Sequence, residues 1–210
     1  MTFDTPEDTI EAEDTLRDLY PKVSPLAERK ALPRLEKHCR NFIAHSPFLC
    51  LSTASADGKA DVSPRGDAPG FVQVLDDNTL LIPDRRGNNR LDSMSNIIAN
   101  PNVGLLFLIP GVGETLRING KARVVRDETM LETMAVNGKA PTAAILVEVE
   151  EAFLHCAKAI IRSKLWDDDH KLERKAFPSL GRMITDQIET GKSAEEVDAG
   201  LEVAYKTTLY

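Results

Sequence analysis

At 210 residues the chain has room for one domain, or one domain with a helical extension, but not for two of full size. Its three cysteines, Cys39, Cys50 and Cys156, are odd in number and form no CxxC pair, which excludes a disulfide framework and a four-cysteine zinc site; a reducing, cytoplasmic setting is expected. Acidic residues outnumber basic ones by 33 to 26, and a net charge of −7 offers no whole-protein field for nucleic acid or an anionic membrane.

The first twenty residues carry seven acids against one arginine, the reverse of a secretory signal, and read as a solvated arm. Leu35, Cys39, Phe42 and Ile43 then recur at helical spacing behind Pro33, so residues 1–46 are expected to be an acidic arm with helices. Extended structure follows. FLCLSTASADGKADVSPR has hairpin form around Asp57-Gly58, and FVQVLDDNTLLIPD repeats the pattern around Asp76-Asp77-Asn78.

In LDSMSNIIANP, Leu91, Met94, Ile97 and Ile98 share one helical face, and Pro101 ends the helix. Val103–Ile109 and Glu114–Val125 predict two strands joined at Pro110-Gly111, and Ile145–Phe153 predicts another. The longest mainly apolar stretch, Val103–Gly113, contains three glycines and a proline and falls far short of the ~20 residues that span a bilayer. Six or seven strands at hairpin spacing, without βαβ alternation, predict a mainly β fold: a closed or nearly closed antiparallel barrel with peripheral helices. The barrel is expected over 47–166 and a C-terminal helical extension over 167–210.

The densest unusual segment is Asp84-Arg85-Arg86-Gly87-Asn88-Asn89-Arg90-Leu91-Asp92, set between a strand end and a helix start. Backbone N–H groups at a helix N-terminus with arginines in reach make a phosphate site; the alternative is a solvated loop whose arginines pair with Asp84 and Asp92. Arg65, at the end of the first hairpin beside Gly66 and Asp67, favours the phosphate site, and Thr115 and Arg117 share one face of a strand. His38-Cys39 and His155-Cys156 lack further ligands at helical spacing, so no metal is expected, and no GxSxG elbow offers a hydrolytic nucleophile.

In this order, Arg65, IPDRRGNNR, the helix leading into NPNVGLLF and the strand LRINGKARVV resemble the pyridoxamine 5'-phosphate oxidase-like flavoproteins, over residues 35–166. The segment HCAKAIIRSKLW resembles a branch with RSxLW. The resemblance implies a split β-barrel that binds flavin mononucleotide (FMN) at the interface of a homodimer. It implies that Arg65, Gly66 and Asp67 run along the flavin and its phosphate, and that Pro83 and Asp84 lie beside the ring. Asn88, Asn89 and Arg90 match a phosphate cluster that more often reads Ser, Arg, Lys, which leaves Arg90, with Arg85 or Arg86, to supply the charge. Thr115 falls where many relatives have a glutamine facing the ring, a contact that Arg117 would take over. Lys164 and Trp166 would approach the flavin from the partner subunit, and Lys164 and Arg117 would stabilise charge on the reduced ring.

The expected function is an FMN-dependent oxidoreductase acting on a small molecule, with NAD(P)H as an electron source. Its rivals are a non-catalytic flavin carrier or sensor, and the same barrel with a deazaflavin or haem. The vitamin B6 oxidase itself is not expected, because that family ends in a strand whose arginine and histidine hold the substrate. Here no arginine or histidine follows Arg182.

Overall fold

The computed structural model describes residues 9–210. The described residues up to Ala31 form one unit and Leu32–Tyr210 another. The first unit holds α1 (Glu13–Asp18) and α2 (Pro25–Arg29), where Ser24 accepts from the Ala27 N–H and Pro25 opens the helix.

The second unit is built on the expected antiparallel sheet, which has seven strands: β1 (Phe48–Ala54), β2 (Ala60–Gly66), β3 (Gln73–Val74), β4 (Thr79–Pro83), β5 (Asn102–Leu108), β6 (Thr115–Val125) and β7 (Ala144–His155). They pair in the order β2-β1-β5-β6-β7-β4-β3, which leaves β2 and β3 as edges and the barrel split. Alternation decides which residues face inward. Leu49 and Leu51 on β1, Leu105 and Phe107 on β5, Leu116 and Ile118 on β6, and Ile145 and Val147 on β7 are fully buried and make the core.

The helices of this unit are α3 (Lys37–His45), α4 (Asp92–Ala99), α5 (Glu128–Glu132), α6 (Lys158–Ser163), α7 (Leu180–Gln187) and α8 (Ala194–Thr207). On α3 the predicted face is the buried one, Cys39, Phe42 and Ile43, and Glu36 caps its N-terminus by accepting from the N–H groups of His38 and Cys39. Burial pushes the Cys39 thiol up to about 11, which makes it an inert core residue. The short helix α5 carries no periodic signal long enough to read from the sequence. With Leu131 and Met134 it covers the outer side of β4 and β7, so Leu80, Leu81 and Ile82 are all buried although they alternate in direction.

The two longest strands, β6 and β7, carry a bulge between Asn119 and Gly120. At Gly120 a Cβ would lie 2.1 Å from the Glu148 carbonyl oxygen, a main-chain atom that cannot turn aside. Gly120→Ala is therefore expected to cost about 1–3 kcal/mol, lowering the melting temperature by roughly 3–10 °C in a calorimetric scan.

Candidate functional site

The site forms where the split in the sheet brings the end of β2 against the end of β4. Arg65, in β2, donates from Nη1 to Asp84 Oδ1 at 3.0 Å, and Arg85 donates from Nε to Asp67 Oδ2 at 2.6 Å. Two strands that share no ladder are thus joined by two ion pairs running in opposite senses. Arg65 and Asp84 are each 19% exposed, and the Asp67 carboxylate is 3% exposed. Asp67 Oδ1 also accepts from the Ala68 N–H and from the Tyr210 hydroxyl, each at 2.7 Å. Burial pushes the Asp67 carboxyl up, but its donors Tyr210, Ala68 and Arg85 outweigh that and hold it below the ordinary carboxylate range; the same contact pushes the Tyr210 hydroxyl up.

Beyond Asp84 the chain makes a loop into α4. Asn89 and Leu91 both adopt positive φ, 58° and 61°, and Asn88 Oδ1 accepts from the Arg90 N–H at 3.1 Å. Leu91 is the N-cap of α4 and supplies no side-chain cap. α4 is pinned to the sheet by Ser93, which donates to Ser63 Oγ on β2, and by Asn96, which donates to Thr53 Oγ1 on β1, both at 3.0 Å. Because β7 starts antiparallel to the end of β4, the Asp84 N–H donates to the Ala143 carbonyl, and residues 139–143 form the opposite wall.

The result is a cavity of about 850 Å³. It brings together Arg65, Asp84, Arg85, Asn88, Asn89 and Arg90 of the residues named from the sequence. Pro83 and Asp67 flank it, Asp67 through its bond to Arg85, and Gly66 lies between Arg65 and Asp67. Thr115, Arg117, Lys164 and Trp166 do not line it within the single chain. Thr115 and Arg117 lie on the outer face of β6, where Arg117 donates to Glu151 Oε1 at 2.7 Å and its guanidinium stands 5.0 Å from the Phe153 ring centre. Lys164 ends α6 at φ 49°, and Trp166 Nε1 donates to the Val112 carbonyl at 2.8 Å.

The cavity also uses residues that the sequence reading missed, chiefly Lys139 and Tyr210. Lys139 had a legible signal: Asn137-Gly138, at φ 52° and 72°, is a two-residue hairpin turn closed by reciprocal bonds between Val136 and Lys139. Tyr210 had none, since its place depends on contacts 143 residues apart in sequence.

The lining holds five cations: Arg65, Arg85, Arg86, Arg90 and Lys139. Asp84, Asp67 and Asp92 neutralise Arg65, Arg85 and Arg90 respectively, and Asp61 adds a weaker pull on Arg90. Arg65 Nε is buried with no hydrogen-bond partner among the described residues. This chemistry suits an anionic group brought in from outside.

A carboxyl with a depressed folded value contributes its full stability above the unfolded value, near 4, and loses it as pH falls through the folded value. Asp67 is such a group. Between pH 7 and pH 3, Asp67→Asn is expected to melt lower than wild type at neutral pH and to lose less on acidification, as melting temperatures across that range will report.

Some solved structures are similar to parts of this chain. HupZ from Group A Streptococcus is 17% identical, covering 57% of this chain and 93% of that one at a TM-score of 0.47. HutZ, the heme storage protein from Vibrio cholerae, is 19% identical over 59% of this chain and 94% of that one, with a TM-score of 0.40. An FMN-binding protein from Syntrophomonas wolfei subsp. wolfei is 9% identical over 55% and 80%, also at 0.40. No curated protein matches the chain. A profile of the pyridoxamine 5'-phosphate oxidase family matches residues 35–156, more than half of the chain and most of the split sheet with its loop of arginines, and the chain belongs to that family.

Proposed function

We propose that the protein binds FMN in the cavity between β2, β4 and α4 and works as an FMN-dependent oxidoreductase on a small molecule other than a B6 phosphate. The observation that carries this reading is the arginine- and lysine-lined cavity, with more positive charge than its own carboxylates neutralise. When bound, the flavin supplies hydride and electron transfer. The chain's part is to hold it: Arg65 and Arg85 are oriented by Asp84 and Asp67, and Asn88, Asn89 and Arg90 present the polar edge of the loop.

The heme storage named for HutZ keeps a haem-binding reading alive, but among the described residues no histidine or cysteine lines this cavity, so an axial ligand would have to come from elsewhere. The absorption spectrum of the purified protein separates flavin, deazaflavin and haem. FMN is expected to bind at least roughly tenfold more tightly than riboflavin, because charge-assisted contacts to a phosphate contribute about 1.5–3 kcal/mol each. Equal affinities in a fluorescence titration would overturn the reading.

The proposal extends to a homodimer whose sites include Lys164, Trp166, Thr115 and Arg117. Its support is the outer face of β1, β2 and β5, where Phe48, paired with Leu108, is 37% exposed and Val62, paired with Ser52, is 63% exposed. Sedimentation of the wild type is expected to give a dimer, and Val62→Lys to shift it toward monomer with loss of FMN. A wild-type monomer that retains FMN would sink the shared-site picture.

A further inference from the structure

One wall of the cavity is built unlike the others. β2, β4 and β7 are fixed by the sheet or by the crossed ion pairs, and α4 is pinned through Ser93 and Asn96. Residues 208–210 have no such anchor. They follow α8, none of whose residues is buried, and the N–H groups of Leu209 and Tyr210 make no hydrogen bond among the described residues.

What holds this segment is Tyr210, and its contacts lie on opposite sides of the cavity. On one side its hydroxyl donates to Asp67 Oδ1 at 2.7 Å, and its ring centre stands 5.7 Å from the Arg85 guanidinium. On the other, Lys139 Nζ donates to a main-chain oxygen of Tyr210 at 3.3 Å, from the wall that runs into β7. The segment thus spans the cavity, and because Leu209 is 61% exposed it does so on the solvent side and not at the floor. A stretch held by a few side-chain contacts near the surface opens far more often than a strand held by a ladder. Of those contacts the hydroxyl–carboxylate bond is the shortest, and it is charge-assisted.

We infer that residues 208–210 form a strap across the mouth of the cavity, latched by the Tyr210 hydroxyl on Asp67, and that ligand enters and leaves when the latch opens. This rests on the reading of the cavity as the FMN site and adds how access to it is controlled. A strap that closes over the empty and the filled site alike limits association and dissociation together, whereas a side chain that only touches the ligand changes dissociation alone.

The test compares wild type with Tyr210→Phe, which keeps the ring and removes the latch, and with Tyr210→Ala, each checked by thermal melting. In stopped-flow fluorescence with FMN, Tyr210→Phe is expected to raise the association and dissociation rate constants together, by roughly three- to tenfold for one lost hydrogen bond, and to change the dissociation constant by less than about threefold. Tyr210→Ala is expected to raise both rates at least as far. An association rate constant that does not rise overturns the inference, whatever dissociation does. In ligand-free protein, phenylglyoxal is expected to modify Arg85 several-fold faster in Tyr210→Phe than in wild type, as peptide mapping will report, and equal rates overturn the inference too. If wild type binds no FMN, the FMN reading fails and the labelling of Arg85 decides the strap by itself.

Discussion

The site depends on closing a sheet that has no hydrogen-bond ladder to close it. β2 and β4 end side by side without pairing, and the crossed pairs Arg65–Asp84 and Arg85–Asp67 hold them there. Each strand end contributes one cation and one anion, so neither end carries a net charge across the gap. Pairs this far removed from water add little net stability over an apolar contact, yet losing one partner costs about 3–5 kcal/mol because the other charge is stranded. What they provide is position: guanidiniums aimed by carboxylates, with nitrogens left over for a ligand.

The same gap explains why the loop after β4 is strained. The chain must leave the sheet, pass two residues at positive φ and enter α4 without a capping side chain, while Ser93 and Asn96 tie that helix back to β2 and β1. Asparagine tolerates the left-handed region; Leu91 does so only because its surroundings hold it. The main chain beside the cavity is therefore set by the scaffold, which would lower the ordering cost of binding the proposed ligand.

Much of this was legible in the sequence. Alternation in FLCLSTA and TLRINGKARVV marked strands, Asp57-Gly58 marked a hairpin, and LDSMSNII marked the helix beside the cavity, because each signal is local. The arginine loop could be read as an anion site because of its composition. Which arginines are neutralised could not be read, since Arg65 and Asp84 are 19 residues apart and meet only through the order of the strands. Tyr210 illustrates the limit further, and Lys139 illustrates a signal present in Asn137-Gly138 that pointed to a turn but not to its neighbours.

The strand order also bears on how the chain comes to be assembled. β4 has no long partner until β7 is available, and their ladder joins Pro83 to Ala144. A chain emerging in sequence order carries Leu80, Leu81 and Ile82 for more than sixty residues of synthesis before the strand that pairs with them exists. That interval exposes a short apolar β segment with an open edge, the kind of sequence that pairs with other chains if left unprotected. The cavity, which needs both β4 and the residues leading into β7, is thus among the last features the growing polypeptide can complete.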